Sequence, residues 1–346
     1  MKTPIKALSI LILGASLTGC TALQSLFQKD DVKFSKYSNE VEAEEFSNEM
    51  VNSIQKNPTL NGSEEVADFA LSLTGSVSLS QKVSNKEISK KDRGAISGSA
   101  KVNAKFAYDK ANDAAELTGK LTLDAKMTTL SYGTQKVSSE TEGDILVQDY
   151  GQGKVNLVNK NEKTYQVAEA ETDEAPTLGD ALSELKSYLG LGVYYLSTSI
   201  SSIDPESMQG TDLKLYKDGE VYTIVYAQKM SQDVEMYNSE TGSSEKVASV
   251  DLNGEVKMQF DLGDGFKARV SYETKTTVSY VKGMEHISSG TAISSIGLSL
   301  PLERLAGDKE VTEEKIGLSV DYSEKNQTVK PVNLDSYKEV EELLDL

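Results

Sequence analysis

Long runs of alternating apolar and polar residues constrain this chain of 346 residues more than any other feature. Over 69–79, 96–108 and 117–127, apolar side chains occupy almost every second position, with Ser, Thr, Lys and Asn between them. In a β-strand this period gives one dry face and one solvated face. A strand of about 13 residues is about 43 Å long, and sheets of such strands twist and coil. The sequence therefore predicts a mainly β (α+β) fold with a large curved antiparallel sheet or an incomplete barrel.

The second half of the chain contains two dipeptides typical of two-residue β-hairpin turns, Asp218-Gly219 and Asn253-Gly254. The first is expected to join strands over 213–217 and 220–228. The second is expected to join a strand over 247–252 to one over 255–262. Another alternating run begins at Phe266, which indicates that the antiparallel pairing continues.

Three stretches are predicted to be helical. The first covers 40–56, and its expected N-cap is Asn39. The second covers 178–189 and is expected to end at Gly190. The third is the acidic stretch 335–346. An apolar sheet face has to be covered, so two or three helices are predicted to pack against the concave face.

The N-terminus resembles a bacterial lipoprotein signal peptide. Lys2 and Lys6 precede an apolar run over 7–17, which is shorter than the about 20 residues that span a bilayer. Leu17-Thr18-Gly19-Cys20 then resembles the lipobox. The resemblance implies that residues 1–19 are removed and that Cys20 becomes the first residue and carries acyl chains such as palmitate. The alternative is an ordinary signal peptide with a chance cysteine at this position.

The domain organisation is predicted from the residues, and the location from the resemblance. Residues 20–37 lack a sustained apolar period and would form the lipidated terminus and a tether. No break in composition divides the rest of the chain, so 38–346 is predicted to be a single β-rich domain. The protein would be lipid-anchored on the extracytoplasmic side of a cell membrane or an outer membrane. Thr21 after the cysteine favours the outer membrane if the host has two membranes. Whether the envelope has one membrane or two stays open.

The charge of the chain limits its partners. Its formal net charge is −18, and nucleic-acid binding depends on Lys and Arg that neutralise phosphates, so no nucleic-acid partner is expected. An anionic lipid surface is also unfavourable for an acidic chain. Membrane attachment is therefore expected to come from acyl chains on Cys20 and not from a basic patch.

The inventory of reactive residues argues against catalysis. His286 is the only histidine and Cys20 the only cysteine, so a metal site with several imidazoles is impossible. No Gly-x-Ser-x-Gly elbow or glycine-rich phosphate loop is present. We therefore expect neither an enzyme nor a metal or cofactor site.

The order of the predicted elements from Glu40 to Tyr322 is similar to that of the LolA/LppX-type lipoprotein-carrier superfold. That fold combines an amphipathic helix near the mature N-terminus, an incomplete antiparallel barrel and helices that plug its mouth. The similarity is one of architecture and not of motif, so no ligand-contacting residue is transferred. Apart from this similarity, few helices are available to cover so long a curved sheet, which can leave a cavity lined by apolar side chains for an apolar ligand. The alternative is a closed barrel or sandwich with a fully packed core.

Two functions remain open from the sequence. The first is a non-catalytic carrier or sensor of a lipid or another apolar ligand, and the second is a structural or surface-interaction lipoprotein with a packed core that binds a protein partner. A continuous apolar cavity above about 300 Å³ would favour the carrier, and a filled core with a broad exposed apolar patch would favour the partner. The predicted ligand site consists of residues on the apolar phase of their own elements: Phe69, Leu71, Phe106, Leu121, Leu123, Phe260, Phe266 and Tyr272, with Leu182 and Leu185 from the covering helix.

Overall fold

The structure is a computed structural model of the chain. It describes residues 33–60, 68–84, 95–129, 133–149, 154–169, 178–200, 210–238, 241–263, 265–281, 291–293, 299–301, 307, 309–324, 327–341 and 343. Cys20, His286 and residues 1–19, which are predicted to be a signal peptide, lie outside the described residues.

The described part of the chain is mostly β-strand with two α-helices. The helices are α1 (Ala43–Lys56) and α2 (Leu178–Ile200), and short 3-10 helices occur at Lys110–Asn112 and Leu334–Ser336. The first seven strands are β1 (Phe69–Ser84), β2 (Ala95–Asp109), β3 (Ala114–Thr129), β4 (Gly133–Asp149), β5 (Lys154–Asn159), β6 (Thr164–Glu169) and β7 (Thr211–Asp218). The others are β8 (Val221–Asn238), β9 (Ser243–Asp261), β10 (Phe266–Tyr280), β11 (Thr291–Ile293), β12 (Ser299–Pro301), β13 (Lys309–Glu324) and β14 (Lys338–Glu339).

Twelve of the strands form one large open sheet. Six pair in the order β7–β8–β9–β10–β13–β1, and six in the order β2–β3–β4–β5–β6–β14. Because β1 also lies alongside β2, the two arrays are continuous. Within each array, neighbouring strands are antiparallel, except that β14 is parallel to β6. The predicted fold class, a curved antiparallel sheet with a few helices, is confirmed.

One end of the sheet wraps around the two helices. Phe46 and Met50 of α1 are fully buried, and Val193 and Ile200 of α2 are nearly so. These side chains share one core with residues from β1–β5, β7–β10 and β13. We call the face that packs on the helices the inner face. The apolar residues of the alternating runs therefore lie on the inner face, as the sequence predicts.

The first of the two expected hairpin turns is present, and the second is absent. β7 and β8 pair on either side of Asp218-Gly219, and Gly219 has φ +65°. The prediction of a turn at Asn253-Gly254 is wrong, because β9 continues through it. Asn253 is opposite Lys229 on one side and Lys275 on the other. Two long neighbours thus hold the dipeptide extended, and this pairing outweighs its local preference for a turn.

The second helix is longer than predicted. α2 continues through Gly190 to Ile200. A Cβ atom at Gly190 would collide with the backbone carbonyl of Leu60, the last described residue after α1. This glycine therefore allows close packing of α2, and it does not end the helix.

The two ends of the domain also differ from the prediction. Asn39 does not cap α1, because the N-cap is Glu42. The side chain of Asn39 donates to the carbonyl of Lys217 instead. The third helix, predicted over 335–346, is not formed in the described residues of that stretch. Val340 there donates its backbone N–H to the carbonyl of Tyr165, so the edge of the sheet supplies partners that a helix would have supplied internally.

Each edge of the sheet is covered by a terminal segment. Residues 33–41, which we call the N-terminal strap, cross the outer face and then bond to β7 through Val41 N–H and the carbonyl of Leu215 (2.9 Å). The strap therefore includes the end of the predicted tether, residues 33–37, which is held against the sheet. Residues 327–343 cover β6 and part of the outer face in the same way, through Val329 and Leu343. Unpaired sheet edges invite association with other chains, and here the protein occupies them itself.

Candidate functional site: the inner face beyond the helices

The four phenylalanines predicted to line a ligand site belong to the filled core. Phe69, Phe106, Phe260 and Phe266 have exposed fractions of 3%, 8%, 6% and 3%. The rings of Phe69 and Phe106 are stacked with centroids 5.6 Å apart, and Tyr322 lies on Phe69 at 5.0 Å. These side chains fill the space between sheet and helices, so they are not the wall of an open site.

The remaining predicted residues lie farther along the strands. Leu71 is half-buried against the core. Leu123 and Tyr272 are half-buried, and Leu121 is 37% exposed. Leu182 and Leu185 lie within α2, but their side chains are outside the described part of the structure. The structure therefore divides the predicted site between a packed end and an open end.

Several large apolar side chains are exposed on the inner face at this open end. The strand register puts Leu121 opposite Val102, Ile316 opposite Tyr272, and Met230 opposite Leu252, all in phase with the core residues. We call this region the distal inner face. Its most exposed members are Leu121 (37%), Met127 (36%), Val137 (66%), Met230 (47%), Val234 (39%), Ile316 (45%) and Leu318 (36%).

The distal inner face is almost free of charge. No inner-face position of β1, β2, β3 or β10 carries a charged residue. The same is true of β8 and β9 between the core and the bulge at Val234/Glu235. On β13 the first charged inner position after Tyr322 is Glu314, opposite Leu79. An antiparallel sheet with one apolar face normally packs that face against something. Among the described residues, α1 and α2 cover only the end with the phenylalanines.

The outer face has the opposite character. Lys275 and Glu313 face each other across β10 and β13 with their charged atoms 2.7 Å apart, as do Lys315 and Glu273. Arg269 bonds Asp321 at 2.6 Å. Exposed pairs of this kind add little to stability, but they mark the surface that is adapted to water. The contrast indicates that the inner face is adapted to an apolar contact.

A groove of about 510 Å³ lies elsewhere, between the start of α1 and β7. Three carboxylates line it, those of Glu40, Glu42 and Glu45, together with Val41 and Leu213 among others. Such a lining is unfavourable for an apolar ligand. It is therefore not the continuous apolar cavity that would favour a carrier.

The shifted titratable groups have structural roles. Burial raises the pKa of Tyr322, and the carboxylate of Glu324 beside its hydroxyl raises the pKa further. A hydrogen bond to Glu49, 2.6 Å away, raises the pKa of Lys217. Within the described ranges, no group of three or more His, Cys, Asp or Glu residues could hold a metal ion.

The sequence did not reveal one further surface, on α2. Tyr188, Leu191, Tyr194 and Tyr195 are 40–66% exposed. The spacing of Tyr188, Leu191 and Tyr195 is that of one helical face, which is a readable signal once the helix is known to continue past Gly190. In the part of the chain that the structure describes, no helix is both long and apolar enough to cross a membrane.

Comparisons with known proteins do not assign a family. No protein-family model matches the chain, and no curated protein matches it significantly. Solved structures to which it was aligned include the InvG secretin domain β-barrel from the Salmonella SPI-1 injectisome (8% identity, TM-score 0.17, 78% of this chain and 65% of that chain). Others are a Pseudomonas aeruginosa FadL homologue (7%, 0.14, 75% and 90%) and the type II secretin GspD of E. coli K12 (9%, 0.13, 93% and 61%). This chain spans less than two thirds of the InvG and GspD chains, and TM-scores of this size do not indicate a common fold.

Proposed function

We propose that the protein is a non-catalytic, lipid-anchored envelope protein that binds an apolar surface of a protein partner through the distal inner face. The observation that carries the proposal is the uncharged, exposed continuation of a sheet face whose other end is a filled core. The lipobox-like Leu17-Thr18-Gly19-Cys20 supports attachment through acyl chains on the extracytoplasmic side of the membrane.

The size of the distal inner face favours a protein partner. Eight long strands cross it, from β4 through β1 and β13 to β8. At about 4.8 Å between strands and about 3.3 Å per residue, five or six residues beyond the core give a footprint of the order of 600 Å². Apolar patches of this size on a monomer are often functional. In a standard protein interface each partner contributes about 800 Å², and the footprint is close to that area.

The composition of the same face supports a second candidate, a carrier or sensor of a lipid or another apolar ligand. Its most exposed side chains are aliphatic or Met, whereas the residues that dominate protein interfaces are enriched in Trp, Tyr and Arg. Gly75 and Gly143 also leave open space where a Cβ would stand, and Gly119 lies opposite Gly143. Small residues at this depth make a shallow depression that suits a narrow acyl chain.

A matched pair of variants tests both functions. Leu121→Asp places a carboxylate on the distal inner face, and Thr122→Asp places the same group on the outer face of the same strand. Both are expected to fold, because Leu121 is already partly exposed and Thr122 faces outward. Native mass spectrometry of the mature protein, extracted from its own membrane, gives the mass of whatever is bound.

The outcomes separate the two candidates. A bound protein that is lost in Leu121→Asp and retained in Thr122→Asp supports the main proposal. A bound species of lipid mass with the same pattern supports the carrier. If neither variant changes what is bound, the distal inner face is not a binding site. Cys20→Ser tests the anchor separately, since it should release the protein into the soluble fraction; continued membrane partitioning would rule the anchor out.

A further inference from the structure

The exposed side of α2 forms a second apolar surface, distinct from the distal inner face. We call it the tyrosine face, and it consists of Tyr188 (61% exposed), Leu191 (51%), Tyr194 (40%) and Tyr195 (66%). The opposite side of the helix, with Val193, packs into the core. The tyrosine face is thus presented outward by a helix that is fixed from behind.

This helix face is also unusually free of charge. No charged residue occurs from 187 to 200, although charged residues make up 26% of the chain. The hydroxyls beside the face are satisfied within the helix: Ser197 and Thr198 donate to the carbonyl of Tyr194, at 2.7 and 3.1 Å. Ser199 donates to the carbonyl of Tyr195 at 2.7 Å. The nearest charge lies at one end of the face, where the hydroxyl of Tyr188 donates to the exposed carboxylate of Glu184 at 2.9 Å. The part of the face from Leu191 to Tyr195 can therefore leave bulk water without stranding a charge, while Glu184 stays at its solvated edge.

We propose that the tyrosine face rests in the interfacial region of the phospholipid bilayer and provides a second membrane contact beside the acyl chains. Tyrosine suits this position because its ring is apolar and its hydroxyl remains in contact with polar groups. An anionic phospholipid surface repels the acidic remainder of the protein, so the uncharged part of the face, from Leu191 to Tyr195, is where close approach costs least. The proposal rests on the proposed acyl anchor at Cys20.

The size of the tyrosine face argues for a membrane and against a protein as the occupant. From Tyr188 to Tyr195 the helix rises only about 11 Å, so the face covers of the order of 150 Å². A stable protein interface needs about 800 Å² from each partner. A chain that is already tethered needs only a small extra contact, because the tether keeps the local concentration of membrane high.

The length of chain between the anchor and the domain keeps the face within reach of the membrane. Twelve residues lie between Cys20 and Lys33, where the described strap begins. They span at most about 45 Å. A domain of this size has a radius of gyration of about 18–19 Å. The anchored domain therefore cannot move away from the bilayer by much more than its own diameter.

The absence of tryptophan from the chain provides a clean test. Tyr195→Trp introduces a single fluorophore on the tyrosine face, and Tyr237→Trp, at a 68% exposed position on β8, is the matched control. The mature acylated protein is reconstituted into phosphatidylcholine vesicles with and without brominated acyl chains. We expect brominated lipid to reduce the emission of Tyr195→Trp about twofold or more, and that of Tyr237→Trp hardly at all.

The controls distinguish failure of the contact from failure of the anchor. Intact mass shows whether Cys20 carries acyl chains, and flotation shows whether the protein is bound to vesicles. Acylated, vesicle-bound Tyr195→Trp that brominated lipid does not quench overturns the membrane contact and leaves the anchor intact. The same holds if the tryptophan is shielded from aqueous iodide but not quenched by the lipid, which would indicate a protein contact. Protein that lacks acyl chains and does not float overturns both. Tyr194→Trp repeats the measurement if the first variant does not fold.

Discussion

Gly190 in α2 lies directly against the backbone carbonyl of Leu60, with no room between them for a side chain. A second contact joins the helices nearby, where the hydroxyl of Ser47 in α1 donates to the carbonyl of Ser197 in α2 at 2.7 Å. Small residues, Gly190 and Ser47, make these contacts possible, so α2 approaches both the segment after α1 and α1 itself closely. The two helices that cover the sheet are thereby held together as one unit.

Substitution of the two glycines of α2 should have opposite effects. In Gly190→Ala the new methyl group meets the Leu60 backbone, and overpacking of this kind costs about 1–3 kcal/mol. In Gly192→Ala nothing lies within 4 Å of the new methyl group, and the better helix propensity of alanine should stabilise the fold by about 0.5–1 kcal/mol. Urea unfolding measures both. Equal effects of the two variants would contradict the close packing.

The two ends of the inner face should differ in their contribution to stability. Phe69→Ala removes a ring that stacks on Phe106 and Tyr322, and such a deletion costs about 3–5 kcal/mol. Leu121→Ala removes a side chain that already meets solvent, and should cost less than about 1 kcal/mol. The two unfolding midpoints give the comparison. A cost for Leu121→Ala close to that for Phe69→Ala would mean that the distal inner face is packed.

The N-terminal strap should depend on Gln259. This buried side chain accepts from the backbone N–H of Ser35 at 2.7 Å and donates to its carbonyl at 3.1 Å. It also donates to the hydroxyl of Thr223 at 2.9 Å. Gln259→Ala strands these groups and should cost about 1–3 kcal/mol. Trypsin should then cleave after Lys33 or Lys36 several times faster.

Exposed Gln232 provides the matched control for this experiment. It lies on β8 beyond the part of the strand that packs on the helices, and far along the strand from the strap. Gln232→Ala should leave both the unfolding midpoint and the cleavage rate unchanged. If Gln259→Ala were also cleaved at the original rate, the strap would be held by other contacts.

The contact between the C-terminal segment and β2 should weaken in acid. Burial alone would raise the pKa of Asp109, but hydrogen bonds from the Asn112 side chain and from the backbone of Val329, Asn112 and Ala111 lower it below the ordinary 3.8. Because the folded-state pKa is the lower one, the carboxylate stabilises the fold fully at neutral pH. That contribution is lost as the pH falls below 3.8 towards the folded-state pKa.

Asp109→Asn isolates this effect. The variant keeps the shape of the side chain but has no titrating group, so its stability should vary less between pH 5 and pH 2.5 than that of the parent, where ordinary carboxyls titrate near pH 4. Hydrogen exchange at the amide of Val329, which donates to Asp109 at 3.0 Å, gives the local readout. Unchanged pH dependence would show that other carboxyls control the acid transition.

The faces of the strands could be predicted from the sequence, because alternation is a local property. Phe69, Phe106, Phe260 and Leu121 all face inward as expected. The extent of the strands was harder to predict, since it depends on their neighbours. β9 passes through Asn253-Gly254 because β8 and β10 are long enough to pair with it there.

The depth of the candidate site could not be predicted for a related reason. Alternation states which face a residue occupies, but not how far along the strand the covering helices reach. Gly190 lies against the backbone of Leu60 in the middle of α2 and positions the helix there, and nothing near Gly190 in the sequence indicates that contact. For this reason the predicted site combined core phenylalanines with residues of the open end such as Leu121 and Tyr272.

The position of β1 in the sheet has a consequence for how the chain folds. Phe69, near the start of the domain, pairs with Glu324, near its end. The arrays β2–β4 and β7–β10 consist of pairings between consecutive strands and can form early, because short loops close at low entropic cost. β1 and β13 lie side by side between these arrays, so β1 cannot complete its pairing until β13 is available. Such high contact order slows folding, so a chain of this topology stays incomplete, with the apolar face of a strand exposed, until almost its whole length is available for pairing.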